Sequence, residues 1–287
     1  MFINQTIMMI CYTVLVMILY SNLVSSTDIE DSTEQYERVA FGKPVTESGK
    51  YPYFVSIQSE DPNSTTGYKH RCGGALIERQ IMVTAAHCLS RTQLIPKMRI
   101  LPNYRNTPFI HPNDLTFKIK YRTIHPGHNF TAPVHIKHDI AVVLLDKPDP
   151  RPNATIRLPI TRSPIAQRLT LIGFGITESG DDPDVLQSAT VYYRTDQECQ
   201  ADDKTGHYNP GFNFCTANPD GSVGCTGDSG GPLILTINNT DYIQGVLSSS
   251  YRPCGSNDKT NFVNVFTHLD FIHQAISYST FMNQISN

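Results

Sequence analysis

The sequence predicts an all-β protein with one helix near its C-terminal end. From residue 39 onward the chain breaks into short apolar runs rich in β-branched and aromatic residues. Gly, Pro, Asn and Asp separate them, which is the texture of many short strands. Only residues 268–277, HLDFIHQAIS, set apolar side chains on one helical face, through Leu269, Ile272 and Ile276.

The elements follow in chain order. Residues 7–20, IMMICYTVLVMILY, have the length of a secretory h-region and are short for a membrane span. Val24, Ser25 and Ser26 supply small residues for cleavage, so residues 1–26 read as a signal peptide. The leading segment lacks Lys and Arg, and an uncleaved anchor is the alternative. Residues 27–38, TDIEDSTEQYER, carry five acids and one base and read as a solvated propeptide, or more plainly as a flexible tail. The predicted strands are YFVSIQ, GALIE, IMVTAA, IAVVLL, LTLIGFG, PLILTI, IQGVLSS and FVNVF. A short helical turn is expected after TAAHC. The proline-rich stretch 146–159 reads as a linker between halves at about 39–150 and 151–287.

Composition narrows the function. With 17% charged and 39% hydrophobic residues the chain suits a globular domain and argues against disorder. A net charge of -3 and the lack of a basic run predict no nucleic-acid partner. Seven cysteines become six once Cys11 leaves with the leader, an even set suited to an oxidising compartment. Sequons at Asn63, Asn129, Asn153 and Asn238 add to the expectation of a secreted, glycosylated protein with those sites in exposed loops.

The chemistry concentrates in VGCTGDSGGP, residues 223–232. A serine hydroxyl is a weak nucleophile until a base takes its proton and the backbone lets it project. The glycines around Ser229 allow a tight turn, and the amides of Gly227 and Ser229 are candidates for an oxyanion hole. Taken alone, such a turn is ordinarily a loop. His87 in VTAAHC offers a base, although a lone His beside Cys88 is ordinarily structural. Asp139 in HDIAVVLL opens an apolar strand; taken alone it ends a loop. A buried carboxylate needs a partner, and an imidazole N–H is a suitable one.

Thr84-Ala85-Ala86-His87-Cys88, Asp139-Ile140-Ala141 and Gly227-Asp228-Ser229-Gly230-Gly231-Pro232, in that order, resemble the chymotrypsin/trypsin family of serine proteases. Cys72-Gly73-Gly74, GFG at 173–175 and PDVLQ at 183–187 add to the resemblance, which runs from about Val39 to the C-terminal helix. It implies a chymotrypsin-like fold of two six-stranded antiparallel β-barrels with a C-terminal α-helix and a catalytic cleft between them. It implies that His87 is the base for Ser229, that Asp139 orients His87, and that Ser248 supports Asp139. It implies disulfides Cys72–Cys88, Cys199–Cys215 and Cys225–Cys254. It also implies a zymogen cut between Arg38 and Val39, whose new ammonium pairs with Asp228. Phe41 stands where the family usually has Gly. Val223 would lie at the base of the primary pocket, with Ser250 and Asn261 on its walls. An uncharged pocket base cannot pair with Lys or Arg, so cleavage after uncharged small-to-medium or apolar residues is expected.

The rival expectation is a catalytically poor protease homologue serving as a binding protein, decoy or cofactor. Retention of His87, Asp139, Ser229 and Gly227 counts against it, and an esterase using the same residues is a further alternative. Expected partners are protein or peptide substrates, an activating trypsin-like protease and protein inhibitors; the chain is expected to be a monomer without cofactors. His125, His128, His135 and His138 are dense enough to suggest zinc, but their spacing sets no tetrahedral geometry, and no metal is expected. Loop 102–116 has one acid, Asp114, and no calcium site is expected there.

Overall fold

The computed structural model describes residues 42–285, apart from 65, 103–114, 130–136, 163–166, 177–182, 202, 204–207, 219–220, 222 and 251–258. The leader, the propeptide, Arg38, Val39, Phe41, Asp114, His135 and Cys254 lie outside the described residues.

The first half holds β2 (Phe54–Glu60), β3 (Tyr68–Glu78), β4 (Ile81–Thr84), β5 (Met98–Pro102), β6 (Ile119–Ile124) and β7 (Ala141–Leu145). They form one antiparallel sheet in the order β5-β2-β3-β4-β7-β6. The sheet curls until its ends meet through a single bridge, Ile100 to Phe117. The second half holds β8 (Arg168–Gly173), β9 (Gln187–Tyr193), β10 (Asn213–Ala217), β11 (Pro232–Ile237), β12 (Thr240–Ser250) and β13 (Thr260–Asn264). Because β8 pairs with both β9 and β11, these six strands close into a barrel, and the two-residue β1 (Lys43–Pro44) adds to β9. The expected pair of six-stranded units is therefore one closed barrel and one curled sheet.

All eight predicted apolar runs contribute to strands, and β1, β5, β6, β9 and β10 join them. β7 is a continuous AVVLL, buried throughout, because β4 and β6 flank it and the core covers it. In β9, by contrast, burial alternates along QSATVYY, which gives polar residues to one face and weakens the apolar signal. The C-terminal helix, Leu269–Ile285, runs well past residue 277; its second half is largely exposed, so no buried face marked it in the sequence. A short helix, Asp196–Ala201, is also present. Thr195 and Glu198 exchange bonds in a capping box, Glu198 N to Thr195 Oγ1 at 3.1 Å and Thr195 N to Glu198 Oε2 at 2.9 Å.

The proline-rich stretch 146–159 is no loose linker. Asp149 is fully buried and held by Arg151, with Nη2 to Oδ2 at 2.6 Å. Ala154 and Ile156 are buried, the Ile156 amide bonds to Leu76 O, and Arg157 bridges Tyr242 of β12. This segment ties the two halves together, and the main core is continuous across them, from Val55 and Val83 to Val246, Val263 and Ile272 of the C-terminal helix. All four sequon asparagines are exposed.

Candidate active site

His87 lies in a 3₁₀ turn, Ala86–Leu89, that follows β4 directly. The Cys72–Cys88 disulfide fixes the next residue to β3. Asp139 lies two residues before the start of β7, the neighbour of β4, so strand pairing of Thr84 with Ala141 brings base and carboxylate together. The His87 amide donates to Asp139 Oδ1 at 2.8 Å, and His87 Nδ1–H donates to Oδ2 at 2.6 Å. Ser248, on β12 of the other half, donates its hydroxyl to the same Oδ2 at 2.6 Å.

These bonds set the electrostatics. Burial works to raise the Asp139 pKa, but the charge and hydrogen bonds of His87 and the bond from Ser248 outweigh it and hold the carboxyl below its ordinary range. Burial works to lower the His87 pKa; the Asp139 charge and hydrogen bond outweigh that, and the imidazole lies above its ordinary value. With Nδ1–H committed to Asp139, the neutral ring carries its lone pair on Nε2. The ring remains 39% exposed, which leaves it open to a reactant.

His87 and Ser229 line the same cavity of about 610 Å³, together with Thr226, Gly227, Ser249 and Ser250. Among the described residues the Ser229 hydroxyl makes no hydrogen bond. Catalytic contacts of this kind are often long before substrate binds. The turn itself is pinned from behind. Thr226 O accepts the Ile176 amide at 2.8 Å, and Asp228 O accepts the Gly231 amide at 2.9 Å. In trans peptides this turns the Gly227 and Ser229 N–H groups the other way, and neither donates a hydrogen bond among the described residues. Gly227 has φ +102° and Gly230 φ +81°, conformations that favour glycine. A Cβ at Gly230 would also run into Thr84 Oγ1.

Sequence reasoning missed the group that steadies this turn from the first half. His70 Nε2–H donates to Gly227 O at 2.9 Å, and Ser56 donates its hydroxyl to His70 Nδ1 at 2.7 Å. The only local signal is a histidine between two exposed charged residues, Lys69 and Arg71, in the polar half of β3 before Cys72.

Asp228 is fully buried beneath the turn. It accepts amides from Gly175 at 2.6 Å and Cys225 at 2.8 Å, yet burial dominates and pushes its pKa up to about 6. No cation pairs with it among the described residues.

The expected pocket residues divide. Ser250 lines the cavity, whereas Val223 and Asn261 are 4% and 7% exposed and stand outside its lining among the described residues. Asn261 pairs with Ser249 across β12 and β13, and its Nδ2 donates to Ser249 Oγ at 3.4 Å. Cys199–Cys215 is bonded as expected, and Cys225 is in a disulfide.

The family model described as Trypsin matches residues 40–272. Granzyme M of Rattus norvegicus is 30% identical over 210 residues, covering 71% of this chain and 75% of its own. Phenoloxidase-activating factor 3 of Holotrichia diomphalia is 27% identical, covering 89% and 78%. Ovochymase-2 of Mus musculus is 28% identical over 79% of this chain, which spans only 37% of that relative's length.

Proposed function

The chain belongs to the trypsin family of serine proteases, and we propose that it is a secreted endopeptidase made as a zymogen and armed by cleavage between Arg38 and Val39. The observation that carries this reading is the Ser248–Asp139–His87 hydrogen-bond chain, which ends on the wall of the cavity that Ser229 also lines. His87 Nε2 takes the Ser229 proton as the hydroxyl attacks a peptide carbonyl, and later gives it to the leaving amine. Asp139 stabilises the imidazolium formed in between. The unspent amides of Gly227 and Ser229 receive the oxyanion. Water then releases the acyl group by the same steps in reverse order.

Activation follows from Asp228. A carboxylate buried with two amide donors has unmet demand for a cation, and the ammonium of Val39 would supply it. Pairing beneath the turn would fix the amides above it. Cleavage after uncharged side chains remains the proposal for specificity; it rests on the family position of the apolar Val223, which stands outside the cavity lining here and would offer a substrate cation nothing to pair with once the pocket reaches it. The name of the relative phenoloxidase-activating factor 3 supports protein substrates that cleavage activates.

The test is labelling by a peptidyl phosphonate with an uncharged residue at the cleavage position. Labelling should require both Arg38 cleavage and an intact Ser229, and should vanish in Ser229→Ala. A verified cleaved chain that takes no label would support the binding-protein alternative. Preferential labelling by a lysyl or arginyl phosphonate would overturn the pocket assignment alone.

A further inference from the structure

Beside Asp139, three histidines from distant parts of the chain converge. His125 follows β6, His138 precedes Asp139, and His268 ends the 3₁₀ turn Phe266–His268 that leads into the C-terminal helix. One ring nitrogen from each lies within 4.8 Å of the others. The bonds around them assign the tautomers. His268 Nδ1–H donates to the Asn264 carbonyl at 2.7 Å, which leaves the lone pair on Nε2. His138 Nδ1–H donates to that lone pair at 2.9 Å. The His125 ring stacks on His138 with centroids 4.2 Å apart, and its Nδ1 accepts the Gly127 amide at 3.0 Å. Phe212 and Phe271 close the site at 4.4 Å from His138 and 4.8 Å from His125.

We propose that His125, His138 and His268 bind one divalent transition-metal ion of the zinc or copper class, and that its binding damps the protease through the adjoining Asp139. Imidazole is the ligand such ions favour. Zinc–nitrogen bonds of about 2.0–2.1 Å in tetrahedral geometry place ligand nitrogens about 3.4 Å apart. The 2.9 Å pair opens slightly to reach that value, and no two of the three nitrogens lie more than 4.8 Å apart, within the range that rotation of His125 and His138, both outside the strands, can adjust. The ion replaces the His138–His268 hydrogen bond, the His138 proton moving from Nδ1 to Nε2 so that Nδ1 can ligate, and displaces the Gly127 amide from His125. Water takes the fourth position. The Asn264 carbonyl already supplies the outer hydrogen bond that orients a ligating imidazole. Burial keeps all three rings low in pKa, His138 and His268 at about 4, so the neutral ligating form prevails at pH 7.

A second observation marks the same residue. His138 holds φ +55°, a left-handed conformation few non-glycine residues adopt, though histidine does so more readily than most, and its carbonyl accepts the Ile140 amide at 2.8 Å. The turn that presents this ligand is thus the turn that sets Asp139. Two positive charges next to Asp139 compete with the imidazolium that its carboxylate must stabilise, so kcat should fall while substrate binding is less affected. The damping rests on the protease reading above; the binding does not.

The test separates the two. Calorimetry with Zn²⁺, and optical absorption with Co²⁺, are run on full-length Ser229→Ala. The expected result is one ion per chain, tetrahedral cobalt bands, and a loss of at least about tenfold in affinity in both His125→Gln and His268→Gln. His273→Gln, on the exposed side of the C-terminal helix, should bind as before. If His268→Gln fails to fold, His125→Gln on its half-exposed loop decides. Absence of one-to-one binding, or binding unchanged in His125→Gln, overturns the site. In the processed protein with an intact Ser229, saturating Zn²⁺ should lower kcat and leave His125→Gln unaffected. Binding that leaves kcat unchanged overturns the damping; binding by a chain with no hydrolytic activity upholds the site and overturns the protease reading.

Discussion

Asp139 and Asp228 are both enclosed carboxylates, one in each half of the molecule, and burial pushes both pKa values upward. They end on opposite sides of the ordinary value. Asp139 accepts bonds from the His87 amide, the His87 ring and the Ser248 hydroxyl, and one of those donors can carry a full charge. Asp228 accepts two neutral amides. The contrast teaches that enclosure alone does not tell what a buried acid is doing. The charge of its partners does, and on that measure Asp139 is complete while Asp228 is waiting.

Replacing the complete member should have the largest effect. Asp139→Asn should cut kcat of the processed protein by about 10⁴-fold, the size associated with losing the correct imidazole tautomer in triads of this type. Retained turnover of a peptide substrate would break the contrast at its first term. The waiting member is tested through stability. In the folded chain Asp228 keeps its proton to about pH 6, against an ordinary value of 3.8. Its contribution is therefore fully present below pH 4 and is lost as pH rises through 6. The unfolding free energy of uncleaved Ser229→Ala should fall by roughly 2 kcal/mol between pH 4 and 7 for this reason. After cut at Arg38 that loss should disappear, since the new ammonium meets the carboxylate. Identical pH dependence before and after cleavage, by denaturant titration, would remove the waiting role. Smaller again is Ser248→Ala, which deletes a charge-assisted bond and should lower kcat/KM about tenfold. The mildest effect is on the acid limb of kcat/KM. Because Asp139 raises the His87 pKa, that limb should fall above pH 6.5 in the processed protein and shift downward in Ser248→Ala only if the pair is loosened.

Much of this was readable in the sequence because chemistry of this kind needs local punctuation. TAAHC, HDIA and GDSGGP each combine a reactive group with the small or apolar neighbours that position it. The strands lying on the core were equally plain, as in AVVLL of β7. What stayed hidden depends on partners distant along the chain. Nothing near His268 announces that it meets His138, 130 residues away. The hold of His70 on Gly227 spans 157 residues. Residues 146–159 looked like a linker because prolines and polar residues dominate, yet the buried Asp149–Arg151 pair and Ile156 make them a seam. The Thr195–Glu198 capping box was a local signal, but the helix it starts is only six residues long and lacks an apolar stripe.

The bond between Cys72 and Cys88 has one more consequence. It anchors the backbone next to His87 to a strand of the curled sheet, whose own strand pairing and apolar core do not run through this bond. A thiol reductant that opened it would leave the imidazole held by its bonds to Asp139 alone, on a backbone no longer tied to β3, while the sheet around it stayed paired. In a glutathione-rich interior such a molecule would still look folded, but it would have lost its bite.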